Sequence, residues 1–230
     1  MMKEVDAPAP APAGFLTRVI RYKFMPSMVA CGADYLGLAM MTPALPYFLE
    51  DTLGLDPTGV SVWTGAITTA QYAGGAFGNM LVGWVGDRLG SRKALVLTLG
   101  GDVVLFALTA LATSKAMLIS VRFFAGLSSP LVPSLMYIFE RARHKMEILE
   151  GVNAYSASVN MAYAMGGIIV GVGYGAMGWV GLNLFSSAFA AVALVIVAFL
   201  STPPGVGKKT TSTTGGKEAV SKPAIGGLGM

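Results

Sequence analysis

GWVGDRLGSRK, residues Gly83 to Lys93, joins one long apolar run to the next. It packs one acid, three bases and three glycines into eleven residues. The runs on either side, near 62–85 and 93–113, have the length and composition of membrane-spanning helices. The stretch therefore reads as a tight turn at a membrane surface. Gly83 and Gly86 let helix backbones approach closely at the end of a span, and Gly90 can adopt the left-handed conformation that a short turn needs. Arg88, Arg92 and Lys93 hold the turn at a leaflet surface. Asp87 is suited to pairing with the neighbouring arginines or to facing the positive N-terminus of another helix.

The rest of the chain supports a membrane reading. Of its 230 residues 54% are hydrophobic and only 12% charged, with a mean hydropathy of +0.64. A soluble domain carries about 25% charged residues. Apolar runs near 24–48, 62–85, 93–113, 116–138, 152–174 and 178–200 predict six spans. Each would cover roughly 31–38 Å, enough for a ~30 Å hydrocarbon core. Pro43 and Pro46 predict a kink near the outer end of the first. Residues 1–23 read as a cytoplasmic lead-in, 24–200 as the transmembrane domain, and 201–230 as a disordered polar linker or tail rich in Gly, Ser, Thr and Lys.

The basic residues orient the spans. Lys3, Arg18, Arg21, Lys23, Arg88, Arg92, Lys93, Arg141, Arg143, Lys145, Lys208, Lys209, Lys217 and Lys222 all fall on one side, and Lys115 alone on the other. The positive-inside rule places the larger group, and both termini, in the cytoplasm. The net charge of +4 thus reflects membrane orientation rather than nucleic-acid binding.

Asp34, Asp102 and Arg122 lie within the spans. A charge at that depth costs about 2.5–3.5 kcal/mol even on the lenient insertion scale, so each is a functional candidate. Asp34, poised between desolvation and a nearby cation, could take up and release a proton. Arg122 could reach inward to it or outward to water. Asp102 has no evident partner, and Gly100 and Gly101 beside it would accommodate it. Polar residues recur at helical spacing along three spans. Gln71 lies in the stripe of the second span, Ser129 in that of the fourth, and Asn160 and Tyr163 in that of the fifth. These four are candidate cavity-lining residues. The pairs Gly74 with Gly78, and Gly167 with Gly171 and Gly175, read as helix-packing positions. Cys31 reads as a small packing residue, and with one cysteine and one histidine in the chain no metal site or cofactor is expected. No phosphate-binding loop and no nucleophile–base pairing is readable, so the chain is not expected to be an enzyme.

GWVGDRLGSRK resembles the signature loop of the major facilitator superfamily, a Gly-x-x-x-Asp-Arg-x-Gly-x-Arg pattern between the second and third helices. Gly83, Asp87, Arg88, Gly90 and Arg92 match it, and Ser91 stands where a base is common. RFFAGLSSPLVPSLMYIFER, with Arg122 and Gly126, resembles the family's fourth helix. DYLGLAMMTPALPYFL, with Asp34, Pro43 and Pro46, resembles the first helix of the drug–proton antiporter branch. Ile168 stands where that branch often has a proline, which speaks against antiport.

The resemblance implies an all-α membrane protein, a six-transmembrane-helix bundle like one half of the twelve-helix fold. It implies a cytoplasmic gate at Asp87, Arg88 and Arg92, and coupling or substrate-charge roles for Asp34 and Arg122. The function expected of the complete protein is secondary transport of a small organic solute by alternating access, with proton-coupled efflux as the first choice of mode. The chain ends in what resembles the family's central linker. Two alternatives follow: a truncated, non-transporting membrane module, and a half-transporter that dimerises with a second copy of itself. The expected partners are the bilayer, a small-molecule substrate, and a second six-helix half or a second copy.

Overall fold

The computed structural model describes residues 23–200, and the segments expected before Lys23 and after Leu200 lie outside them. The described residues form six α-helices: α1 (Met25–Asp51), α2 (Pro57–Leu89), α3 (Ser91–Ala110), α4 (Lys115–Leu127), α5 (Leu131–Arg141) and α6 (Lys145–Leu200). Four stretches are long and apolar enough to cross a membrane: Met25–Asp51, Ser91–Ala110, Lys115–Arg141 and Lys145–Leu200.

These helices do not map one to one onto the predicted spans. The fourth span is divided between α4 and α5. α4 ends at Leu127, where the Ser128 N–H bonds back to Phe124 O. Pro130 then lacks an N–H, and the residue before a proline is pushed away from helical geometry. The fifth and sixth spans are joined in α6, whose 56 residues would extend roughly 84 Å if straight. Gly178 interrupts that run with φ 59° and ψ −170°, a conformation essentially confined to glycine.

Side-chain contacts show that the chain reverses at Gly178. Before it, α6 runs parallel to α1. The Ser158 hydroxyl donates to Met28 O at 2.8 Å, the Tyr35 and Tyr163 rings lie 5.6 Å apart, and those of Tyr47 and Tyr174 lie 5.3 Å apart. After it, α6 runs back along α3. Trp179 Nε1 donates to Thr109 O at 3.0 Å, Ser187 Oγ to Val103 O at 2.8 Å, and Arg92 Nη2 to Ala198 O at 2.8 Å. The prolines leave α1 helical from Met25 to Asp51.

α2 and α4 also run parallel, and glycine brings them together. A Cβ on Gly74 would fall 2.0 Å from Phe123 O, one on Gly78 2.6 Å from Leu127 Cα, and one on Gly126 2.1 Å from Gln71 O. Farther along, Gly86 is packed against Met136, whereas Gly83 leaves ordinary room beside Val132. Close approach was expected at both; both face α5, and it occurs at Gly86, where a Cβ would fall 2.8 Å from Met136 Sδ. The apolar core lies chiefly between α1 and α6. Leu36, Met40, Leu45 and Phe48 meet Leu118, Trp179 and Leu182 at one end. Ala30, Leu95, Leu99, Tyr137 and Val197 pack towards the other.

The predicted packing role of Gly167, Gly171 and Gly175 is not met. A Cβ at any of the three would touch nothing within 4 Å. Their face of α6 has no helix against it among the described residues. Met161, Ile168 and Val172 on the same segment are exposed as well.

Candidate functional site

A cavity of about 420 Å³ opens among α1, α2, the α4–α5 break and the first part of α6. Its polar lining comes from Asp34, Tyr35, Gln71, Asn79, Ser129 and Tyr163. Helical spacing explains the convergence. Gln71, Gly75 and Asn79 recur every four residues, so they share one face of α2. Ser129 sits where the backbone leaves helical geometry between α4 and α5. Three of the four expected lining residues, Gln71, Ser129 and Tyr163, face this space. Asn160 does not; it is exposed on α6. Tyr35, Tyr72 and Asn79 were not anticipated. The spacing from Gln71 could have found Asn79, whose Oδ1 is buried without a hydrogen-bond partner.

Of the three ionisable residues within the predicted spans, Asp34 alone lines this cavity. Asp34 is half-buried, lines the cavity and makes no hydrogen bond to another described residue. Arg122 is entirely buried (0% exposed). Its Nη2 donates to Asn183 Oδ1 at 3.4 Å, and its guanidinium lies 5.9 Å from the centre of the Phe106 ring. Its Nε and Nη1 have no partner. The expectation that Arg122 reaches inward or snorkels outward resolves to an inward, buried position. Asp34 and Arg122 lie within electrostatic reach of each other. Among the described residues, however, the ion pairs are those of Glu147 with Lys23 and with His144, so Asp34 and Arg122 are near neighbours without direct contact.

Asp102 is 2% exposed. It stands beside Ser128, and the charge of Asp34 acts on it. Ser128 Oγ itself donates to Thr98 O at 2.8 Å, and Asp102 Oδ2 has no partner. Of the two flanking glycines, Gly101 makes the room: a Cβ there would fall 2.1 Å from Ser128 Oγ, whereas Gly100 faces open space. An ionised carboxylate buried in this way without a cation is costly.

The other expected site lies at the far end of α2. Gly90 ends that helix with φ 86° and ψ 152°, which glycine alone adopts without strain. Its N–H bonds to Gly86 O at 2.8 Å. Arg88 lies 4.0 Å over the Trp84 ring, and Arg92 reaches Ala198 O. The Ser91 hydroxyl donates to Glu140. Asp87 is exposed and forms no ion pair with either arginine. The turn thus brings Gly83, Asp87, Arg88, Gly90 and Arg92 together in space, but its arginines are occupied elsewhere.

Sequence comparison identifies the family. The Major Facilitator Superfamily profile matches residues 28–228. An uncharacterized MFS-type transporter, YwfA of Bacillus subtilis (strain 168), is 26% identical over 200 residues, which cover 82% of this chain and 45% of that protein. The MFS-type transporter ppzB of Metarhizium majus (strain ARSEF 297) is 33% identical over 103 residues, 43% of this chain and 22% of that protein. The multidrug resistance protein MdtG of Erwinia billingiae (strain Eb661) is 28% identical over 106 residues, 45% of this chain and 26% of that protein. The chain therefore spans less than half the length of these relatives. With helices that can cross a membrane and a profile match over most of its length, this multi-pass integral membrane chain belongs to the major facilitator superfamily.

Proposed function

We propose that the protein to which this chain belongs moves a small organic solute across a membrane by alternating access, coupled to protons. The chain supplies six crossings: α1, α2, α3, α4 with α5, and the two arms of α6 on either side of Gly178. The end carrying Arg88, Arg92, Lys93 and Arg141 faces the cytoplasm, as the positive-inside rule directs. The cavity beside Asp34 takes the solute. One relative is named a multidrug resistance protein, which favours organic compounds as cargo and efflux as the direction.

The observation that carries this reading is the accessible carboxyl of Asp34 with a buried, incompletely bonded Arg122 nearby. Two carboxyl groups, Asp34 and Asp102, share the region with one guanidinium. When both acids are ionised the cluster is net negative in a low-dielectric site, and one proton restores neutrality. Solute binding and proton uptake at Asp34 then compete for the same charge balance. Asp102, away from the cavity lining, sets that balance from behind. At the cytoplasmic end Asp87 is exposed and awaits a partner from outside the described residues, as a gate between two bodies requires.

The open flank of the cavity favours completion by a second body. Tyr163 reaches the cavity, while Gly167, Gly171 and Ile168 on the same arm face open space. A second six-helix half suits this best. A second copy related by a two-fold axis along the membrane normal is the other occupant.

The test is solute uptake and efflux in vesicles containing the whole protein, across a broad panel of organic compounds, with and without a pH gradient. Gradient-dependent flux is expected. Well-folded protein that moves none of the panel under either condition would overturn the reading and leave a non-transporting membrane module.

A further inference from the structure

A second space, of about 650 Å³, lies at the basic end of the bundle and away from the cavity. It runs between the start of α3, the tip of α5 and the end of α6. Leu89, Val96 and Leu97 give it an apolar floor. Leu89 is 51% exposed and Leu97 59% exposed. Arg92 and Lys93 stand at its rim with Glu140. Glu140 accepts the Ser91 hydroxyl, and Arg92 donates to Ala198 O, which ties the end of α6 to the wall of the groove. The rim therefore carries one more positive charge than negative.

This combination selects its occupant. A sugar or nucleotide would find few polar groups on the floor. A hydrocarbon chain would cover Leu89, Val96 and Leu97 at about 25 cal/mol per Å² of apolar surface. The two cations lie at the end of the helices, where a headgroup phosphate sits. Basic pockets between helices on the cytoplasmic side suit anionic headgroups, whereas a zwitterionic lipid would bring its own amine towards Arg92 and Lys93. We propose that this groove binds an anionic phospholipid, with one acyl chain on Leu89, Val96 and Leu97 and its phosphate between Arg92 and Lys93. The site goes beyond the transport reading. It rests only on that end of the bundle lying at the bilayer surface.

The experiment is native mass spectrometry of the whole protein in detergent, titrated separately with phosphatidylglycerol and phosphatidylcholine. Lys93→Glu and the milder Lys93→Gln are compared with Lys115→Glu, which changes a base at the opposite end. Thermal melting selects the folded variants. Phosphatidylglycerol should bind in preference to phosphatidylcholine. Binding should fall about fivefold in Lys93→Gln, and further in Lys93→Glu. It should be unchanged in Lys115→Glu, and inorganic phosphate should not displace the lipid. Equal binding of the two lipids, equal losses at Lys93 and Lys115, or displacement by inorganic phosphate would each overturn the proposal. None of these outcomes depends on solute flux, so failure here and failure of the transport reading are separable.

Discussion

Arg122 and Arg92 sit in one bundle but in opposite situations. Arg92 lies at the basic end, partly exposed, with its guanidinium bonded to Ala198 O. Arg88 beside it is stacked on Trp84. Arg122 is buried in the middle of the bundle with two nitrogens unpartnered, near Asp34 but not bonded to it. Folding alone gives little reason to keep a buried arginine so poorly satisfied, because its desolvation is costly. At the basic end Arg88, Ser91 and Arg92 have partners within the chain. The middle leaves Arg122 Nε and Nη1 and Asp102 Oδ2 without partners among the described residues. Asp87 is the exception at the basic end, and it is the residue there that a gate would need.

The largest effect should come from separating these two kinds of arginine. Arg122→Met should abolish coupled transport; because it leaves the carboxyls of Asp34 and Asp102 without their cation, it should also cost about 3–5 kcal/mol in melting stability in detergent unless they take up protons. Coupled transport by a folded Arg122→Met would return Arg122 to the structural class of Arg92. Next in size are the positions where glycine sets the backbone. Gly126→Ala would drive a methyl group into Gln71 O and should cost about 1–3 kcal/mol in thermal or denaturant unfolding. Gly178→Ala should cost a similar amount, about 1–3 kcal/mol, through strain alone, since a Cβ there meets nothing within 4 Å.

Gly171→Ala lies in the same helix as Gly178 and should behave oppositely. Its Cβ has open space, and alanine favours helix by about 1 kcal/mol over glycine, so the chain alone should gain stability. A large loss in the assembled protein would instead mark that face as a closely packed contact with the second body. The smallest effect belongs to Arg88→Ala. Removing its stack on Trp84 should cost about 0.5–1 kcal/mol, measurable as a small drop in melting temperature.

These contrasts also explain what could be read before any coordinates. The Gly83–Lys93 stretch declared its turn because Gly90 and the surrounding charges are local signals. The outer arc of the cavity was legible from Gln71 and Tyr163, since helical spacing fixes which residues share a face. Asn160 shares the stripe with Tyr163 yet lies outside the cavity, since spacing gives a face but not its neighbour. The break between α4 and α5 is written in Ser129-Pro130, yet the apolar run across it resembles one uninterrupted span. The room made by Gly101 for Ser128, beside Asp102, was hidden for another reason. It depends on the register between α3 and the α4–α5 break, which no local pattern records. For Gly74, Gly78 and Gly126, small residues pointed correctly to close packing. For Gly167, Gly171 and Gly175, the same pattern pointed to a close contact that the described residues do not make.

The most direct test of the central claim is proton movement driven by solute, recorded with a pH-sensitive dye trapped in vesicles containing the whole protein. Wild type should move protons when a transported solute is added. Asp34→Asn should bind that solute and still melt normally, but move no protons. If Asp34→Asn drives the same proton flux as wild type, Asp34 is not the coupling group, and the account of the buried cluster fails.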